Sequence, residues 1–195
     1  MLRSAPRTTL PWLALALLTA SCDSPKPTGE CTGTHFGQRV SWPIALNSVQ
    51  SDALEADGSE HTLVDLNYKP EGVQGLQNFG VDIRLMGKPQ FEASGARTVK
   101  LLAREGMLVP EETSLVRAWD GNMGATSGYL TPPGVPVEAS VTLNRMTPDH
   151  AEGQFTYRYS DGATLTCTFD VPDRVYDVDG DIGGGGGGFD DDDDD

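Results

Sequence analysis

An all-β mature body, folded as a single antiparallel β-sandwich or barrel-like domain of about eight strands, is predicted by three observations. Apolar residues alternate at a period of two along most of the chain between Cys31 and Val175. Asn, Gly, Pro and Asp cluster between these runs, as at Asp57-Gly58, Lys69-Pro70-Glu71-Gly72, Asp120-Gly121-Asn122 and Pro132-Pro133-Gly134. Helical periodicity is nearly absent. Many short strands without intervening helices must bury one face against a second sheet, so a sandwich or barrel follows.

Taken in order, Phe36, Gln38, Val40 and Trp42 mark the first alternating run. Ser48 to Ala56 leaves room for a short helix and nothing longer. Strands are then expected at Val64, Leu66, Tyr68, at Val81, Ile83, Leu85 and at Val99, Leu101, Ala103. Leu115 to Trp119 forms another, followed by Val137, Ala139, Val141, Leu143.

The last hairpin can be argued in register. Phe155, Tyr157 and Tyr159 alternate on one strand and Ala163, Leu165, Cys167 and Phe169 on the next. A two-residue Asp161-Gly162 loop would put these sets on opposite faces, whereas a three-residue Ser160-Asp161-Gly162 loop buries both together. That longer loop pairs Tyr159 with Ala163, Tyr157 with Leu165 and Phe155 with Cys167. It needs a left-handed residue at its last position, and Gly162 stands there. Cys167 should then face inward beside Phe155.

The ends of the chain have a different character. Arg3 and Arg7 precede the apolar run Leu10 to Ala20, too short for a permanent span of a bilayer core ~30 Å thick. Small residues at Ala20 and Ser21 lead directly into Cys22. The run Leu18-Thr19-Ala20-Ser21-Cys22 resembles the lipobox of bacterial lipoproteins, in which the Cys thiol receives a diacylglycerol and the chain is cut just before it. The resemblance implies a signal peptide over 1–21, lipidation at Cys22 and palmitate-type acylation. An ordinary secretory signal would share the charged and apolar parts; the small residues abutting Cys22 favour the lipid. By the same resemblance Asp23 favours retention at the inner membrane, although sorting rules differ between bacterial groups and the leaflet stays open.

Residues 22–30, with Pro25 and Pro27, read as the lipidated Cys and a semi-extended tether reaching about 25 Å. The body occupies 31–175. The segment 176–195, rich in Gly and Asp, cannot bury enough surface to offset its ordering entropy and is expected to be disordered. From Asp173 onward the chain carries −9 of its −15 net charge. Such a block repels nucleic acid and anionic lipid, so no nucleic-acid partner is expected.

Removing a lipidated Cys22 leaves Cys31 and Cys167, an even count in an oxidising compartment. With no third Cys or His at ligand spacing, the pair is read as a disulfide rather than as free thiols or a metal pair. The ending from Gly153 to Phe169, G-x-F-x-Y-x-Y-x-D-G-x-x-L-x-C-x-F, also resembles the terminal hairpin of small uncharacterised bacterial lipoproteins with all-β mature domains. No functional residue carries over with that likeness.

Chemistry-bearing motifs are sparse. His35, His61 and His150 lie far apart without a short-spaced ligand partner, and Gly124 to Gly128 misses G-x-S-x-G by one position. Trp119, Asp120, Asn122 and Tyr129 form a candidate binding loop, because aromatic faces stack while short polar groups orient a hydroxyl. Asp177, Asp179 and Asp181 fit the first three carboxylates of a calcium loop, yet the required Gly and Glu are missing. Weak calcium binding is the only cofactor this allows; no confident metal site is expected.

The sequence therefore reads as a non-catalytic lipoprotein of the bacterial cell envelope, anchored to the inner or outer membrane and facing periplasm or exterior. Its expected partners are the membrane and an envelope protein or polysaccharide. The runner-up readings are a carbohydrate-active envelope hydrolase and a weakly calcium-dependent adhesive protein. A hydrolase needs two converging carboxylates, for which Asp65, Asp82, Glu92, Asp120 and Glu138 are available without any spacing that selects a pair.

Overall fold

Two antiparallel sheets form a β-sandwich in a computed structural model that describes residues 25–35, 37–71, 77–112, 115–124 and 136–173. Eleven strands run in chain order: β1 Glu30–His35, β2 Gln38–Pro43, β3 Val49–Leu54, β4 Glu60–Tyr68, β5 Asn78–Met86, β6 Arg97–Arg104, β7 Met107–Pro110, β8 Val116–Gly124, β9 Glu138–Met146, β10 His150–Arg158 and β11 Thr164–Pro172. Seven pair in the order β2-β1-β11-β10-β9-β6-β7, and four in the order β3-β4-β5-β8. A 3₁₀ turn at Ala93–Gly95 is the one helical element among the described residues.

The expected sandwich is present, with eleven strands where about eight were read. β1 was missed because Glu-Cys-Thr-Gly-Thr-His shows one apolar residue only, and β7 because four residues are too short to establish a period. The expected helix at Ser48 to Ala56 is corrected to strand: Val49–Leu54 pairs with β4 from Val49↔Asp65 to Leu54↔Glu60. Ala53, Leu54 and Glu55 favour helices weakly, and a whole ladder of tertiary hydrogen bonds overrides that preference. Thr28 bridges to Asp170 and β1 begins at Glu30, so pairing with the larger sheet starts ahead of Cys31.

The core lies between the two sheets. Val40 and Trp42 of β2, Leu66 and Tyr68 of β4, and Phe79, Val81 and Ile83 of β5 alternate inward and are buried. Besides β2, the larger sheet contributes Leu101, Val141, Phe155, Tyr157 and Leu165. Some of these rings meet edge to face, as with Phe79 and Tyr157 at 6.2 Å and 87°, a geometry favoured by the ring quadrupoles, and others are tilted, as with Trp42 and Phe79 at 55°.

The terminal hairpin has the register argued from the sequence. Phe155 opposes Cys167, Tyr157 opposes Leu165, and the Tyr159 N–H donates to the Ala163 carbonyl at 2.9 Å. Gly162 adopts φ 84°, as the three-residue turn requires. Cys167 is fully buried and bonded to Cys31, which sits opposite it across the β1–β11 ladder. The bridge ties the first strand to the last over a sequence separation of 136. Beside it Gly33, at φ 132°, lies so close to the Thr164 carbonyl that a Cβ would collide with it.

Candidate functional site

The outward face of the four-stranded sheet carries the polar positions of the same alternation that builds the core. On β4 the core takes Val64, Leu66 and Tyr68, leaving Asp65 and Asn67 outside; on β5 it takes Phe79, Val81 and Ile83, leaving Asn78, Gly80 and Asp82. Trp119 of β8 points inward and Asp120, one residue on, is exposed. Register then sets three carboxylates in one row: Asp65 opposes Asp82, and Asp82 opposes Asp120. Directly opposed residues have Cβ atoms about 5 Å apart.

This row floors a shallow hollow of about 300 Å³, with Asn47, Asn67 and Asn78 at its margin and Gly80 leaving its centre without a side chain. Two of these amides form a chain that ends on the first acid. Asn67 Nδ2 donates to Asp65 Oδ1 at 2.8 Å, and Asn78 Nδ2 donates to Asn67 Oδ1 at 3.1 Å. The Asn67 N–H donates to Ser48 Oγ at 2.7 Å, while that hydroxyl donates back to the Asn67 carbonyl at 3.2 Å. Asn67 is thereby held at backbone and side chain alike.

Asp82 is the perturbed member. Partial burial, then the charges of Asp65 and Asp120, hold its carboxyl above the ordinary carboxylate range, and Arg84 on the same strand pulls the other way. Beyond Arg84 the face changes sign. Glu55 Oε1 lies 3.3 Å from His61 Nδ1 and 3.5 Å from a terminal nitrogen of both Arg84 and Arg117. The sheet face thus runs from an amide margin through a carboxylate row to a cluster of cations around one acid.

The residues singled out in the sequence fall in several places. Trp119, Asp120 and Asn122 lie on strand β8, not on a loop, which corrects the loop reading. Trp119 is 7% exposed and donates from Nε1 to the Tyr157 hydroxyl at 2.9 Å, so its ring packs in the core instead of presenting a stacking face. Trp42 is likewise buried. Asp120 joins the carboxylate row, and Asn122 lies opposite Gly80 in the ladder. Glu138 belongs to the other sheet, where Arg158 grips it through Nε and a terminal nitrogen at 2.7 and 2.6 Å, and Glu92 precedes the 3₁₀ turn. Tyr129, Cys22, Asp177, Asp179 and Asp181 lie outside the described residues.

The three histidines stay apart. His35 shares a 2.7 Å hydrogen bond with the Tyr159 hydroxyl in the core, His61 contacts Glu55, and His150 stands 3.9 Å from Asp170. Among the described residues no three His, Cys, Asp or Glu side chains are placed to hold a metal ion, the carboxylate row included. No helix among them is long and apolar enough to cross a membrane.

No family model, curated protein or solved structure matches this chain. Asn67 and Asn78 occupy the polar phase of strands whose apolar phase is legible in the sequence, whereas Asn47 adjoins β3, where the sequence suggested a helix. A row of acids became visible only once pairing set β4, β5 and β8 side by side.

Proposed function

We propose that this protein is a non-catalytic binding or structural module of the bacterial envelope, held on a membrane by a lipid at Cys22. The observation that carries this reading is the Cys31–Cys167 bridge. Structural disulfides belong to oxidising compartments, and this one uses the two cysteines that the lipobox resemblance leaves over. Two or three acyl chains, at ~0.8 kcal/mol per buried methylene, hold a protein where one chain binds reversibly. The bridge joins the strand that the tether enters to the strand that ends the fold. A pull on the anchor is therefore borne by a covalent link and not by the β1–β11 hydrogen bonds alone.

The polar hollow on the smaller sheet supplies a ligand-facing surface of amides and carboxylates. Its shallow form, with both Trp42 and Trp119 turned into the core, supports contact with a polar partner in preference to enclosure of a substrate.

A second reading, a carbohydrate-active hydrolase, is favoured by one observation: Asp82, with its raised carboxyl, stands between two other acids. Retaining enzymes of that class place two carboxyl groups about 5 Å apart, one of them raised. Turnover of polysaccharide that stops in Asp82→Asn would establish this reading and displace the first.

Expression in a bacterial host with a labelled fatty acid tests the anchor. Label in the mature protein, lost together with membrane partitioning in Cys22→Ala, is the expected result. An unacylated terminus, or a Cys22→Ala variant that stays in the membrane fraction, overturns it.

A further inference from the structure

We infer that the outward face of the seven-stranded sheet is a docking surface for a neutral polysaccharide. Register aligns Ser41 with Thr32, Thr32 with Thr166, Thr166 with Thr156, Thr156 with Ser140, and Ser140 with Lys100. Five hydroxyl side chains on five successive strands thus form one row, about 20 Å long at the usual strand spacing. A second row runs beside it, where Thr168 opposes Gln154, Gln154 opposes Thr142, and Thr142 opposes Thr98. The inner positions of the same strands are Trp42, Cys31, Cys167, Phe155 and Val141, all buried, so the hydroxyls face away from the core.

The chemistry of the rows selects the occupant. A Thr hydroxyl donates one hydrogen bond and accepts two. The cross-strand contacts of Thr156 with Thr166 at 3.1 Å and of Thr98 with Thr142 at 2.9 Å use one of these each, whereas Thr168 Oγ1 is taken up by the Glu30 backbone, accepting from its N–H at 3.2 Å and donating to its carbonyl at 3.4 Å. The first row is uncharged until Lys100 at its end, in a chain of net charge −15, and the nearby Arg158 is neutralised by Glu138. A nucleic acid or an anionic lipid would require cations there, and an apolar peptide would require apolar side chains. An uncharged array of donors and acceptors is complementary to a polymer that is itself an uncharged array of hydroxyls. Two shallow hollows, of about 300 and 330 Å³, open on this face, one at Lys100, Ser140, Thr156 and Thr164 beside the Glu138–Arg158 ion pair, the other at Gln154 and Thr168, where Glu152 and Asp170 are paired with Arg145.

High strand propensity alone can place Thr on an exposed sheet, and valine separates the two explanations. It keeps the β-branched shape and the strand propensity while deleting the hydroxyl. The test uses the folded full-length protein on immobilised neutral glucan, mannan and galactan, with a sulfated polysaccharide as the anionic control. The wild type should bind at least one neutral polymer, and Thr156→Val/Thr166→Val should bind it about tenfold or more weakly with an unchanged melting transition. Thr32→Val/Ser140→Ala, at the flanks of the same row, should weaken it as well. Binding to no neutral polymer, binding only to the sulfated one, or undiminished binding by both variants would each overturn the inference. It rests on the binding-module reading but not on the lipid: Cys22→Ala should bind the polymer as the wild type does, so failure of the anchor and failure of the docking face are read separately.

Discussion

Trp119 of β8 and Tyr157 of β10 are joined across the sandwich by a hydrogen bond, indole Nε1 donating to the phenol oxygen at 2.9 Å. Both residues are buried, and their rings stand 6.2 Å apart at 71°. One polar contact in the middle of the core therefore ties the small sheet to the large one. Tyr157→Phe keeps the ring and deletes the acceptor, leaving a buried N–H without its partner. The expected cost is about 1–3 kcal/mol, read as a lowered denaturation midpoint with unchanged slope. A near-neutral Tyr157→Phe would mean that the indole finds another acceptor.

The Cys31–Cys167 bridge closes almost the whole described fold, with a separation of 136 residues. The chain-entropy account gives an upper figure of ~5 kcal/mol for a loop of that length. Reduction, or Cys31→Ser/Cys167→Ser, should lower the thermal midpoint strongly and shift protease sensitivity toward the N-terminal strands. Because β1 also pairs with β2 through six register positions from Glu30↔Pro43 to His35↔Gln38, the released piece should be the β1–β2 hairpin as a unit. Equal protease resistance in reduced and oxidised protein would show that the ladder alone holds that hairpin.

The sequence disclosed what repeats over short distances. Phe155, Tyr157, Leu165 and Cys167 shared a face by alternation, and Gly162 then left one loop length. Non-local competition was what stayed hidden. Nothing in Val49–Leu54 reveals that β4 offers it a ladder, so helix-favouring Ala53 and Leu54 misled. Trp119 beside Asp120 and Asn122 suggests an aromatic loop only if adjacency in the chain means adjacency on a surface; on a strand, neighbours face opposite ways. The carboxylate row and the hydroxyl rows are properties of strand order. Reading them requires β4, β5 and β8, or β1, β11, β10 and β9, to be set side by side.

His35 is 2% exposed among Trp42, Phe79 and Tyr159, and burial pushes its pKa from 6.5 down to about 4. A depressed pKa means that the folded state holds the neutral ring while the unfolded chain takes up a proton. Its contribution is whole above pH 6.5, declines as pH falls and is lost on reaching about 4. His35→Gln, which keeps a polar partner for the Tyr159 hydroxyl but does not titrate, should be less stable than the wild type at pH 7. The gap should narrow steadily between pH 6.5 and 4. Denaturant titrations of both proteins at several pH values provide the comparison, and a gap independent of pH would contradict a buried neutral ring.

Asp82 has the opposite sign. Its carboxyl is held above the ordinary range by burial and by Asp65 and Asp120, so the folded state favours the protonated acid. The fold is then free of this penalty below the unfolded carboxylate pKa of about 4 and bears it in full above the raised folded pKa. Asp82→Asn removes one of three opposed charges and keeps the shape of the side chain. At pH 7 it should raise stability, by less than about 1 kcal/mol because solvent reaches the row. The gain should shrink in high salt, which screens exposed like charges, and vanish near pH 3. A destabilised Asp82→Asn at neutral pH would show that ionised Asp82 is held by partners whose attraction exceeds the repulsion of its two neighbours.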